Sequence, residues 1–256
     1  VSGVLPVALG SATKLIGLIM LSTKEYVAVA QLHEPVEEAR LREVIKEFIG
    51  RIYQRPPLRS SVKRALRVKT VYEIELLEYE FPYALLRIKC EHGTYVRKLI
   101  HDIGLILGVG AHMRELRRIR TGPFKEDSTL VTMHELSEAV YLYRNENDDS
   151  ALRKTILPAE YIVSHMRKVV VVDGAVSAIS HGADLAIPGI SMIHENIRRG
   201  ERVAIFSLKG EIVAVGRALM STEEVLERRK GIAVKTRRVI MKRGTYPRSW
   251  RRKQSK

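Results

Sequence analysis

Apolar and polar positions change period several times along the chain, and each change marks an element. Leu86, Ile88 and Cys90 alternate with Arg87 and Lys89, a period of two that predicts a strand with one buried face. His92-Gly93 interrupts it. Val96, Leu99, Ile100, Ile103, Ile106 and Leu107 then recur at helical spacing, predicting a helix that stops near Gly108. Residues 35–50 predict a second amphipathic helix, with Leu41, Val44, Ile45, Phe48 and Ile49 on one face. Strands are predicted over residues 23–32 and where Val71, Glu73 and Glu75 alternate with Tyr72, Ile74 and Leu76. Over residues 111–118 the spacing predicts a short helix, with Arg114, Arg117 and Arg118 on one face and His112, Met113, Leu116 and Ile119 on the other. Residues 132–136 open a capped helix, and the polar run from Asn145 reads as a loop or boundary. Beyond it, residues 169–172, 202–207, 211–215 and 233–241 predict short strands. One helix accompanies them, capped by Asp173, running through Val176 and Ile179 and ending at His181-Gly182, a pattern that suggests a small barrel.

Charge narrows the choice of partner. Lysine and arginine total 44 against 29 acids in 256 residues, a formal charge of +15. That imbalance implies a polyanion, nucleic acid before a membrane surface. The length admits one large or two modest domains, and a hydrophobic content of 45% suffices for a buried core. There is no apolar run near the ~18 residues of a membrane span, and the first residues lack the charged region of a signal peptide. The single cysteine, Cys90, excludes an intramolecular disulfide framework and a cysteine-based zinc site; it is expected in the core, in a reducing compartment. His134-Glu135 lacks the second histidine of a zinc-protease helix, so no metal is expected.

Two features point to anion chemistry. Arg97 and Lys98 fall in the first turn of the predicted helix, where the helix dipole disfavours each cation by roughly 0.3–1 kcal/mol. Either both are solvated, or Arg97 enters a cleft and holds a carboxylate or phosphate there. The second feature is the stretch 55–69, with six cations, Arg55, Arg59, Lys63, Arg64, Arg67 and Lys69, and no acid. Such a run is either a solvated face or, with the Pro56-Pro57 pair holding it extended, an arm that closes on a phosphate backbone.

The segments GTYVR (93–97) and GVGAHMRELRRIRTGPF (108–124) resemble the TruB-type pseudouridine synthases, most closely the archaeal homologues of dyskerin that act in H/ACA guide-RNA particles. The likeness extends to VSGVLPVALGSATKL (1–15), KEY (24–26), QRPPLRSSVKRALRVKTVYE (54–73) and RVIMKRGTYPRSW (238–250), while GADLAIPGI (182–190) and GIAVKTRRVIM (231–241) resemble a PUA domain. The resemblance implies an α+β pseudouridine synthase fold, a mixed and largely antiparallel sheet with flanking helices over residues 1–160. A small β-barrel PUA domain is implied over 161–243 and a basic tail over 244–256.

It also implies roles. Tyr26, which by its own pattern reads as a half-buried core aromatic, is implied to stack on the extruded target base. Arg97 is implied to pair with a catalytic aspartate expected three residues ahead of Val1, as nucleophile or base. Leu116 is implied to line the apolar pocket, and Tyr95 and Val96 to form its walls. RNA is expected at Arg55, Arg59, Lys63, Arg64 and Arg67 and, in the PUA domain, at His181, Gly182 and Ala183. The implied reaction is a redox-neutral isomerisation, so no metal or organic cofactor is expected. The implied partners are guide RNA, substrate rRNA, small H/ACA proteins of the Nop and Gar families and a kink-turn-binding protein, with no membrane. The implied location is the cytoplasm of an archaeal cell, or the nucleolus in a eukaryote. A stand-alone tRNA pseudouridine synthase is a second reading. A non-catalytic RNA scaffold, if no aspartate precedes Val1, is a third.

Overall fold

The computed structural model describes residues 2–56 and 65–247. The chain forms two compact units, one made of Val1–Val7 and Gly17–Ile156, the other of Ala8–Ile16 and Leu157–Lys256. Among the described residues, no helix is long and apolar enough to cross a membrane.

The first unit contains β1 (Ser2–Gly3), α1 (Ile16–Met20, which begins at the last residue of the second unit's segment), β2 (Lys24–Leu32), α2 (Glu38–Glu47), β3 (Gly50–Gln54), β4 (Arg67–Glu80), β5 (Tyr83–Cys90), α3 (Val96–Leu107), β6 (Ala111–Thr121), β7 (Phe124–Lys125), α4 (Met133–Glu146) and α5 (Ser150–Thr155). The strands form one sheet in the order β1-β6-β2-β5-β4-β3, with β7 added to β6. Only β1 against β6 is parallel; the other pairings are antiparallel.

One face of this sheet is the core. Ala28, Ala30 and Leu32 of β2 and Ala84, Leu86, Ile88 and Cys90 of β5 point into it, as the period of two requires, and meet Leu41, Val44 and Ile45 of α2 and Val96, Leu99, Ile100 and Ile103 of α3. The apolar stripes are narrower than the sequence suggests, because Ile49 and Ile106 lie exposed. The opposite face carries cross-strand charges, with Arg87 reaching Glu75 at 2.5 Å and Arg120 reaching Glu25 at 3.4 Å. Exposed pairs of this kind contribute about 1 kcal/mol or less each.

Helix α3 ends as expected, at Gly108 with a left-handed φ of 82°. Gly104 lies buried on its inner side, where an added Cβ would stand 2.1 Å from the Ala111 backbone nitrogen. The helix and β6 are therefore in backbone contact. Thr132 caps α4 reciprocally with Glu135, the expected capping box.

Residues 111–118 are not a helix. They form most of β6, an inner strand with two register shifts against β2. Ala111, Met113, Leu116, Arg118 and Thr121 pair with Leu32, Ala30, Ala28, Tyr26 and Lys24, so the inward positions advance by two, then three, then two, then three. The uneven advance removes the strict alternation by which a strand is read from sequence. The cationic face expected of Arg114, Arg117 and Arg118 does not exist: Arg118 shares the inward face with Tyr26, whereas Arg117 is hydrogen-bonded to Glu126. Strand β4 is bulged in the same way, so Val71 is buried together with Ile74 and Leu76 rather than lying opposite them.

The second unit holds β8 (Lys168–Val171), α6 (Asp173–Ser180), β9 (Leu185–Ala186), β10 (Ile190–Ile193), β11 (Arg202–Ser207), β12 (Ile212–Ala218), α7 (Thr222–Glu227) and β13 (Ile232–Val239). Its sheet runs β10-β8-β11-β12-β13-β9. The edge strands β9 and β10 are joined by only the 3-10 turn Ile187–Gly189, so the sheet must curl until its edges nearly meet, a small barrel. Asp173 is the first helical residue rather than the cap; Val172 precedes it without a side-chain capping bond. The segment 8–16 joins this unit through Lys14, whose carbonyl accepts a hydrogen bond from Arg238 at 2.6 Å and whose Nζ donates to Val239 O at 3.1 Å.

Candidate active site

Two of the candidate catalytic side chains, Tyr26 and Leu116, share the core face of the first unit's sheet. Tyr26 stands between Ile88 of β5 and Arg118 of β6, half-buried and packed on the core. Burial and the neighbouring Cys90 thiol push its phenol above the ordinary value, while the charge and hydrogen bond of Arg118 act in the other direction. The phenol is therefore neutral at physiological pH, a group that can donate a proton. Leu116 lies one inward position along β6, opposite Ala28, packed against the same core.

Arg118 does more than face Tyr26. Its Nε donates to Val4 O at 2.7 Å, and the Val4 amide returns a 2.8 Å bond to Arg118 O. Gly3, at φ 94°, lies so close that a Cβ would fall 2.1 Å from Arg118 O. Only glycine lets β1 approach here. The segment 2–4 is thus pinned beside Tyr26.

Lys24 lies one inward position from Tyr26 and is almost fully buried. Its Nζ donates to Ile19 O at 2.7 Å and Ser22 O at 2.8 Å, closing the end of α1. Burial, then the charge of Arg118, pushes its ammonium down to about 8, against a smaller opposing effect of Cys90. Cys90 is buried as expected, and burial raises its thiol to about 11.

Arg97 is the second residue of α3, next to Val96, which belongs to the core on which Tyr26 and Leu116 pack. Its side chain is exposed, and among the described residues no carboxylate forms an ion pair with it. The turn before it is closely bonded. Glu91 accepts from Lys69 at 3.2 Å and from the Thr70 amide at 3.0 Å, and Lys69 also donates to His92 O at 2.7 Å. Burial opposes ionisation of Glu91, but these bonds and the Lys69 charge outweigh it and hold the carboxyl below its ordinary range. Lys69 therefore leaves the set of unopposed cations to which the sequence assigns it. Tyr95, the N-cap, is held by Gln54.

The other expected positions divide. Arg55 and Arg67 are exposed at the ends of β3 and β4, whereas Arg59, Lys63 and Arg64 lie outside the described residues. In the second unit, His181 caps α6 with its Nδ1 2.8 Å from Ser177 O. Gly182 is exposed at φ 98° with open space around it, and Ala183 O accepts from the Thr236 hydroxyl at 2.8 Å. Arg118, Lys24 and Gln54 are the residues that sequence reasoning missed. The bulged spacing of β6 hid the first, and a lone Lys or Gln carries no periodic signal. Among the described residues, no cluster of His, Cys, Asp and Glu could hold a metal.

The first unit is thus a sheet-and-helix unit, and a small barrel follows it. Residues 33–96 match the TruB family pseudouridylate synthase N-terminal domain, 97–164 the tRNA pseudouridylate synthase B C-terminal domain, and 167–240 the PUA domain. A probable tRNA pseudouridine synthase B of Pyrococcus furiosus is 53% identical over 253 residues, 99% of this chain and 74% of that protein. One of the same name from Saccharolobus solfataricus is 48% identical over 98% of this chain and 100% of that protein. Among solved structures, a Cbf5-Nop10-Gar1 complex matches at TM-score 0.89 and 53% identity, covering 96% of this chain and 75% of that one. An H/ACA RNP bound to a substrate RNA containing 2'-deoxyuridine matches at TM-score 0.90 and 50% identity, covering 97% and 75%. The chain belongs to the TruB family of RNA pseudouridine synthases, and its second unit carries a PUA domain.

Proposed function

We propose that the protein isomerises uridine to pseudouridine in rRNA selected by an H/ACA guide RNA, working with small proteins of the Nop and Gar families and a kink-turn-binding protein. In the reaction the bond from uracil N1 to the ribose breaks, the base turns, and C5 bonds to the same ribose carbon. C5 then loses its proton and N1 gains one. Nothing is oxidised or reduced, so the reaction calls for no electron donor or acceptor. Tyr26 offers an aromatic face for the extruded base and a neutral phenol for proton movement. Leu116 keeps water from the cleaved sugar. Arg97 anchors a carboxylate at the sugar and lowers its pKa. The resemblance supplies that acid three residues ahead of Val1.

The observation that carries this reading is the shared face of Tyr26, Leu116 and Arg118, with Tyr26 and Leu116 packed on the core to which Val96, the neighbour of Arg97, belongs. RNA is then held by the cations of 55–67, by the PUA domain at His181, Gly182 and Ala183, and by the basic tail. The rRNA and guide dependence rest on the resemblance to the dyskerin homologues, and the similarity to an H/ACA RNP bound to a substrate RNA supports them. The second reading, a stand-alone tRNA enzyme, is favoured by the names of the curated relatives. An assay of the full-length protein separates the two. Conversion of an rRNA target only when its guide RNA is present supports the first reading; equal conversion of a tRNA transcript without guide supports the second.

A further inference from the structure

We infer that Gln54 is a positioning residue for Arg97, holding the turn from which α3 springs; this rests on the reading of Arg97 given above. Gln54 ends β3 and is 2% exposed. Both ends of its amide are used on one residue: Nε2 donates to Tyr95 O at 3.2 Å, and Oε1 accepts from Tyr95 N at 2.9 Å. Tyr95 is the N-cap of α3 and makes no side-chain capping bond. Its carbonyl also accepts the Leu99 amide at 3.0 Å, the first bond of the helix. The Gln54 amide thus fixes the carbonyl on which that turn is built, and Arg97 lies inside the turn.

The grip is two-sided. Gln54 pairs with Arg67 across β3 and β4, and two residues further along β4 Lys69 bonds Glu91 and His92 O. Thr94 closes the same turn through a 2.8 Å bond to Glu91 O. Arg97 itself has no such anchor among the described side chains, so its backbone must carry the precision that a charged group in a reaction site needs. An amide is the group that donates and accepts from one planar end at neutral pH. A carboxylate can accept only, whereas a protonated carboxyl again does both.

The test uses the full-length protein with guide RNA and three variants, Gln54→Leu, Gln54→Glu and Arg97→Ala, each melted first to confirm folding. For Gln54→Leu, kcat is expected to fall about tenfold or more with KM and guide-RNA affinity nearly unchanged. For Gln54→Glu, burial raises the introduced carboxyl's pKa, so kcat relative to the parent is low at alkaline pH and recovers as pH falls. Should Gln54→Leu not fold, the isosteric Gln54→Glu profile decides alone. A parental kcat in Gln54→Leu, or a Gln54→Glu rate equally low at every pH, overturns the positioning role while an inactive Arg97→Ala leaves the site standing. Turnover by Arg97→Ala overturns the underlying site instead.

Discussion

Tyr26 and Arg118 face each other across the β2–β6 pairing, and the same guanidinium that draws the Tyr26 phenol's pKa down also donates to Val4 O at 2.7 Å. One cation thus joins Tyr26 to the segment 2–4. Replacing Arg118 by Leu removes an influence that lowers the phenol's pKa, so Tyr26 should ionise at higher pH than in the parent. Ultraviolet titration, with Tyr26→Phe subtracted from each background, measures it. An unchanged ionisation would show that the two side chains do not interact.

Lys24 gives a stability prediction with a defined sign. Its folded pKa is about 8 against an ordinary 10.5, so between these values the unfolded chain binds more protons than the folded one. Stability contributed by this position is lowest below pH ~8 and rises with pH through that window. In urea unfolding, the difference between the parent and Lys24→Met should shift in favour of the parent from pH 8 to 10.5. A flat difference, or one of opposite slope, would contradict the burial argument.

Gly104 tests the packing that places α3. A Cβ there would stand 2.1 Å from the Ala111 nitrogen, a backbone atom that cannot turn aside. Gly104→Ala should therefore cost at least the roughly 1–3 kcal/mol typical of overpacking, seen as a lower Tm. Gly108→Ala, at a left-handed position with open space, should cost only about 1 kcal/mol. Equal melting of the two variants would rule out close helix–strand contact.

On the proposed reading, the cations of residues 55–67 act on RNA through charge. Neutralising Arg59, Lys63 and Arg64 together should flatten the salt dependence of RNA binding by about one unit of slope for each phosphate left without its cation. An unaltered slope would make these side chains ordinary surface.

Where the period of a segment was uncomplicated, its structure was legible in the sequence. Strand β5, with Leu86, Ile88 and Cys90 inward, and helix α3, ending at Gly108, follow their patterns. The failure at residues 111–118 has a physical cause. Two bulges insert an extra residue each, so Ala111, Met113, Leu116, Arg118 and Thr121 reach one face at alternating steps of two and three, which erases the strict period of two that marks a strand. Pattern alone cannot know the partner strand that imposes those bulges. The same limit hid Gln54, whose role depends on Tyr95, distant in sequence and adjacent only after folding. Tyr26 and Arg97 are candidates through motif resemblance, not through periodicity, since a half-buried strand tyrosine and an exposed first-turn arginine are ordinary by themselves.

Arg97 carries the central claim. In the full-length protein assembled with guide RNA, tritium release from C5-labelled target uridine reports the isomerisation directly. Arg97→Ala should abolish that release while guide-RNA binding stays near the parental value. Release at the parental rate would contradict the account.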